Sequence, residues 1–185
     1  MRARTKPARG ALEVGERTFI RRARPGDADE FTALMRRSRE LHRPWSFPPT
    51  RREEFNALVE RARADDFELL LLCRVEDGAV VGFFNLSQIF RGTFLNAYLG
   101  YAVGAPYAGM GYMTEGIDLV LRHAFGALGL HRVEANIQPG NERSIALAKR
   151  AGFRLEGFSP RYLRIDGKWR DHERWAILAE EHRRR

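Results

Sequence analysis

Apolar positions along this chain follow two spacings, and the switches between them mark its elements. Thr18–Arg24 has the dense pattern of a strand, and Pro25-Gly26 turns the chain. The next stretch, from Asp27 to about Leu41, brings Phe31, Leu34 and Met35 onto one helical face. Arg43–Pro49, with three prolines around Trp45 and Phe47, predicts a structured loop. A second helix follows to about Ala64 on the stripe Phe55, Leu58 and Val59. Asp27 with Glu30, and Thr50 with Glu53, have the spacing of capping boxes. The period then shortens: Phe67–Val75, Val80–Phe90 and Phe94–Val103 read as an antiparallel meander turned at Asp77-Gly78 and Arg91-Gly92. Helical spacing returns in Met113, Ile117, Val120, Leu121, Ala124, Phe125 and Leu128, and Gly129 closes that helix. Arg132–Ile137 is a short strand, Asn141–Arg150 a helix ended by Gly152, and Phe153–Ile165 with Lys168–Leu178 a long hairpin through Asp166-Gly167.

The order β-α-α-β-β-β-α-β-α-β-β predicts one α/β domain over about 13–180. Its sheet is mixed and mostly antiparallel, with about four helices on its faces. The crossover through the long helix makes Phe94–Val103 and Arg132–Ile137 parallel neighbours. A chain of 185 residues that is 44% hydrophobic fills one core. Residues 1–12 and 181–185 read as basic, mobile tails. The longest apolar run, Leu69–Cys73, is far too short for a bilayer. The arginine-rich start has no apolar segment behind it, so it does not read as a secretory signal. The single cysteine, Cys73, lies in a strand-like run and fits a buried small hydrophobe in a cytoplasmic protein.

The formal charge is +8, and only Lys6, Lys149 and Lys168 of the 32 basic residues are lysines. Such arginine bias also arises from a GC-rich genome. A basic surface favours anionic partners, from a phosphorylated cofactor to a ribosome, and the basic termini are candidates for weak ribosome or RNA contact. Zinc-finger spacing and aromatic RNA-binding signatures are missing, and no metal ligand set stands out.

The chemistry concentrates in Tyr101–Thr114, Y-A-V-G-A-P-Y-A-G-M-G-Y-M-T, where a strand passes through a glycine-punctuated loop into a helix. Such a junction aims backbone N–H groups and the helix dipole at one anion. The same glycines also serve tight helix packing. A Walker loop is excluded because no G-K-[S/T] occurs, and a dinucleotide fold would place its glycine loop in the first βαβ unit. Asn141-Glu142-Arg143-Ser144 reads as a helix cap. Arg143, Lys149 and Arg150 form either a solvated face or a phosphate contact. In Trp169-Arg170-Asp171-His172, adjacent strand residues point to opposite faces, so Asp171 and His172 are not a dyad. Trp169 is expected to be structural, Asp171 to lie at the surface or substrate rim, and His172 to be a satisfied partner or a base. His123, beside the long helix's stripe, is expected to be partly buried. Trp45 and Phe47 either cap the core or wall a groove.

This order of elements and this loop resemble the GNAT acetyltransferases, whose signature Q/R-x-x-G-x-G/A falls on Pro106-Tyr107-Ala108-Gly109-Met110-Gly111. Both glycines match, and Pro106 replaces the leading Gln/Arg. The resemblance implies that the amides of Ala108, Gly109, Met110, Gly111, Tyr112 and Met113 hold the diphosphate of acetyl-CoA. It also places Asn141 beside the pantetheine arm and the acceptor against the Trp45 region; with this helix expected to flank the cofactor, Arg143 or Lys149 would pair with the adenosine phosphate. Many members carry a tyrosine acid seven residues after this Asn; here that position is Ala148, so the role is not carried over. Asn-x-x-Ser without the tyrosine, with the strings A-Y-L-G-Y-A-V-G, A-G-F-R-L-E-G-F and Ile165–His172, resembles the RimJ and RimL ribosomal-protein N-terminal acetyltransferases.

For this chain the resemblance implies transfer from acetyl-CoA to a protein N-terminal amine, with the alanine terminus of a ribosomal protein foremost. Acetylation of a small amine, or an acetyl-CoA-binding ribosome-associated module without catalysis, are the alternatives. The splayed strands would bind pantetheine near Ala102 and Val103, with one N–H for the oxyanion. Ser144 is the candidate proton donor to the thiolate and Asn136 the candidate orienter of the amine. Glu134 is the nearest acid on that strand.

Overall fold

The computed structural model describes residues 10–184, so Met1–Arg9 and Arg185, the outermost parts of the expected tails, lie outside the described residues. The strands are β1 (Ala11–Val14), β2 (Thr18–Arg22), β3 (Phe67–Arg74), β4 (Val80–Phe90), β5 (Asn96–Val103), β6 (Arg132–Ile137), β7 (Arg154–Ile165) and β8 (Lys168–Leu178). The helices are α1 (Ala28–Arg37), α2 (Arg39–His42), α3 (Arg52–Arg61), α4 (Tyr112–Phe125), α5 (Glu142–Ala151) and α6 (Ala179–His182). All eight strands form one sheet in the order β1-β2-β3-β4-β5-β6-β8-β7. Every neighbouring pair is antiparallel except β5 and β6. The architecture is the expected α/β one, with six helices rather than four.

Alternation sends apolar side chains to both faces of the central strands. Leu70, Leu72, Phe84, Leu86, Ala97, Leu99, Val133, Ala135 and Ile137 pack with Ile117, Val120 and Leu121 of α4 and Leu147 and Ala148 of α5. Phe19, Leu69, Leu71, Phe83 and Ala102 pack on the other face with Phe31, Leu34 and Met35 of α1 and Phe55 of α3. Cys73 is fully buried in that second cluster, and burial pushes its thiol up to about 11. On the second face, β5 and β6 carry Tyr98, Gly100, Glu134 and Asn136 instead of a continuous apolar surface. A polar strip therefore lies directly behind the α4–α5 face.

Several local expectations are corrected. A short strand, β1, precedes Thr18 and begins at Ala11, and Glu181 and His182 lie within α6, so residues 11, 12, 181 and 182 are part of the fold. Asp27 does not cap α1 with its side chain. Its carboxylate closes the turn before the helix, accepting from the Arg24 N–H and from Arg21, while Glu30 accepts from the Val80 N–H. At α3, Glu54 rather than Glu53 accepts the Thr50 and Arg51 amides. The first helix breaks at Ser38, whose hydroxyl donates to Leu34 O and accepts from Ala105 N, each at 2.7 Å. α4 stops at Phe125, short of Gly129. His123 is fully buried, its Nε2 2.7 Å from Glu68 Oε2. Trp169 is 61% exposed at the β7–β8 tip, which removes its structural role.

Candidate active site

Parallel pairing of β5 with β6 stops early. The register holds at Asn96–Arg132, Ala97–Val133 and Tyr98–Glu134, although β5 continues to Val103 and β6 to Ile137. The two strands thus part as a wedge. The Gly104 N–H donates to Val81 O at 2.7 Å, so backbone alternation turns Ala102 toward β4 and the amides of Tyr101 and Val103 into the wedge. This corrects the pairing of Ala102 with Val103 as wedge-facing groups: Ala102 lies opposite Phe83 in the β4 ladder.

The loop beyond β5 opens the wide end. Gly109 and Gly111 have φ of +77° and +82°, a region side chains rarely adopt. Ala108 N donates to Ala105 O and Met110 N weakly to Tyr107 O at 3.4 Å. Among the described residues the amides of Gly109, Gly111, Tyr112 and Met113 have no backbone partner. Four adjacent donors at a helix N-terminus are a diphosphate-sized anion site. A Cβ built on Gly109 meets no protein atom within 4 Å, so the space over the cradle is open.

Arg17, which the sequence reading passed over, comes from the β1–β2 turn to this loop. Its Nη1 donates to Met110 O at 3.0 Å, and its guanidinium lies 4.2 Å from the Tyr112 ring centroid. Arg17, then Arg74, hold the Tyr112 phenol below its ordinary value. A cation therefore stands beside the cradle although Pro106 supplies none. No local motif announces it, because Arg17 lies 93 residues from Met110.

On the α5 side, Asn141 Oδ1 accepts from Ser144 N at 3.3 Å, the cap the sequence implies. The Ser144 hydroxyl lies 2.7 Å from the hydroxyl of Tyr101, which points from the splayed part of β5. Burial pushes the Tyr101 phenol up to about 12, so it stays protonated at neutral pH. Tyr101 was another omission, masked by its place in a regular strand. Arg143 is exposed on α5, free to reach an anion; Lys149 instead sits 5.6 Å over the Trp175 ring, which favours its packing role.

Asn136 projects to the opposite face. Its Oδ1 is buried and has no hydrogen-bond donor among the described residues. Glu134, on the same face, accepts from Arg132 Nε at 2.8 Å and lies opposite Tyr98. Burial, then the Glu134 charge, push Tyr98 up to about 12. Gly100 leaves this face low: a Cβ there would stand 2.5 Å from Asn85 Oδ1.

A strap crosses the wide end of the wedge. His42 Nε2 donates to Val103 O at 2.8 Å, and Gln138 Nε2 donates to Trp45 O at 2.9 Å. Trp45 and Phe47 separate here: Trp45 reaches Gly140, while Phe47 is 46% exposed. His172 is buried, its Nδ1–H donates to Arg170 O, and burial lowers its pKa; Asp171 accepts the Arg161 N–H. These bonds make both satisfied structural partners. Among the described residues no cluster of His, Cys, Asp and Glu could hold a metal, and no helix is long and apolar enough to cross a membrane.

Residues 17–154 match the family model described as Acetyltransferase (GNAT) domain. The chain is 31% identical over 172 residues to the Bacillus subtilis (strain 168) protein named Probable N-acetyltransferase YjcK, covering 89% of this chain and 95% of that one. It is 38% identical over 106 residues to the [Ribosomal protein uS5]-alanine N-acetyltransferase of Escherichia coli (strain K12), covering 57% of this chain and 55% of that protein. Among solved structures, Mycobacterium smegmatis RimJ in complex with CoA-disulfide superposes with a TM-score of 0.82 at 30% identity, over 89% of this chain and 83% of that one.

Proposed function

The chain belongs to the GNAT acetyltransferase family, and from that premise we propose that it moves the acetyl group of acetyl-CoA to a polypeptide N-terminal amine in the cytoplasm. The alanine terminus of a ribosomal protein is the foremost acceptor. The observation that carries the reading is the wedge between β5 and β6, which opens onto four unpartnered amides at the start of α4. The similarity to the uS5-alanine enzyme and to RimJ supports the choice of acceptor.

When bound, acetyl-CoA supplies the thioester. Gly109, Gly111, Tyr112 and Met113 amides hold its diphosphate, with Ala108 and Met110 completing the loop and Arg17 steadying it. The amides of Tyr101 and Val103 receive pantetheine, between β5 and the capped start of α5 at Asn141. Arg143 contacts the nucleotide phosphate. The acceptor enters from the opposite face, where Asn136 Oδ1 accepts an N–H of the amine and aims its lone pair at the carbonyl. An α-amine has a pKa of about 7.7–8.0, so a useful fraction is neutral at cytoplasmic pH. The N–C bond forms as the C–S bond breaks; the amine proton leaves to water, and Ser144 Oγ–H donates to the thiolate. Tyr101 O–H stays protonated and hydrogen-bonds Ser144 Oγ, which regains its proton from the water that took the amine's. Bringing amine and thioester together supplies much of the rate.

The test is free-thiol release from acetyl-CoA with alanine- and serine-initiated peptides, against spermidine and free amino acids. Turnover on alanine-initiated peptides is expected. Turnover on the small amines alone would establish the rival acceptor class, and cofactor binding without thiol release on any acceptor would leave a binding module.

A further inference from the structure

A cleft of about 660 Å³ opens beside the strap, between α2, α3 and the loop before α3. Its inner end is His42, which lines it and bonds Val103 O at the mouth of the wedge. Since Nε2 carries the proton in that bond, His42 Nδ1 is a bare acceptor. It is buried without a partner, in a residue only 6% exposed. Phe47 and the following prolines form an apolar lip, with Phe47 46% exposed.

The charge of the cleft is one-sided. Arg39 and Arg43 line it, are exposed, and make no ion pair among the described residues. The acid in the lining, Glu54, is already consumed by the Thr50 and Arg51 amides and by the Arg51 guanidinium. The strap that carries Arg43 is tied by Gln138, two residues beyond Asn136. The cleft therefore adjoins the wedge through the strap, which His42 ties to Val103 and Gln138 ties to the strand that carries Asn136.

We propose that this cleft binds the segment of the acceptor polypeptide that follows its acetylated first residue, and that it selects segments bearing acidic side chains. The inference rests on the N-terminal acetyltransferase reading above. His42 Nδ1 accepts a backbone N–H of the acceptor, Phe47 covers its apolar part, and Arg39 and Arg43 pair with its carboxylates. The same two cations disfavour a polyamine.

The experiment compares three alanine-initiated peptides that differ only behind the first residue, with two glutamates, two glutamines or two lysines. KM is measured by thiol release for the native chain and for the doubly reversed variant Arg39→Glu/Arg43→Glu. The glutamate peptide should have a KM about tenfold below that of the lysine peptide, narrowing at high salt. The reversed variant should invert the order while its acetyl-CoA affinity stays unchanged. If the reversed variant misfolds, Arg39→Gln/Arg43→Gln should abolish the preference instead. Equal KM values for the three peptides, or an order that survives the substitutions, would overturn the cleft and leave the N-terminal acetyltransferase standing. Turnover of spermidine with none of the peptides would remove both.

Discussion

Replacing Gly109 by alanine separates the geometry of the diphosphate cradle from its strain. At φ +77° a Cβ costs about 1–2 kcal/mol, and the stiffer unfolded chain returns about 0.4–1 kcal/mol. The net loss of about 1 kcal/mol lowers Tm by about 2–4 °C in a domain of this size. Gly129 is the control. Its φ is +64°, a Cβ there also meets nothing within 4 Å, and it lies beyond the far end of α4, roughly 20 Å from the cradle. Gly129→Ala should therefore melt at nearly the same temperature as Gly109→Ala. The two must differ in ligand affinity. The Cβ of Gly109→Ala enters the open space over the loop and pushes one phosphate oxygen off its amide. A hydrogen bond to a charged group contributes about 1.5–3 kcal/mol, so calorimetry should show acetyl-CoA binding about 10- to 150-fold weaker. Gly129→Ala should bind as the native chain does. Equal affinities in the two variants would refute the location of the diphosphate, whatever their melting temperatures.

Three further outcomes are expected. Arg17→Ala should weaken acetyl-CoA binding about tenfold, as loss of one charge-assisted contact implies, with turnover at saturating cofactor unchanged; a fall in kcat alone would remove Arg17 from cofactor binding. Ser144→Ala should lower kcat by about 10- to 100-fold with acetyl-CoA affinity nearly intact, and Tyr101→Phe should follow it in smaller measure; equal losses in affinity and turnover would exclude the proton role. Burial holds the His42 and His172 imidazoles below their ordinary value. The unfolded chain therefore takes up these protons first, and the stability their neutral forms contribute is present above about pH 6.5 and lost as pH falls below it. Melting temperature should drop between pH 7 and 5, less steeply in His172→Gln, and parallel slopes would refute this assignment.

Local patterns made much of the fold legible. The dense runs in β3, β4 and β5 and the 3.6-residue stripe of α4 fix both element type and order, and the crossover rule fixes β5 and β6 as parallel. β1 was illegible because Ala-Leu-Glu-Val is too short to show a period against an arginine-rich neighbour. The capping box at Asp27 did not form because Asp27 and Glu30 found partners outside their own helix, in Arg21 and Val80, while the one at Thr50 moved from Glu53 to Glu54. The phosphate loop could be read because its chemistry is contiguous. Arg17, His42 and Tyr101 could not, since each acquires its meaning only from a contact made by folding: Met110, Val103 and Ser144 lie 93, 61 and 43 residues away. Ala102 was misplaced by one residue, which on a strand is enough to turn its backbone groups to the wrong neighbour.

The interior position of Cys73 has a practical side. The native protein offers no reactive sulfhydryl to a disulfide-exchange dye among its described residues. Colour released during an assay then counts departing coenzyme alone, and a slow late rise in the same trace, without acceptor, marks molecules whose interior has opened.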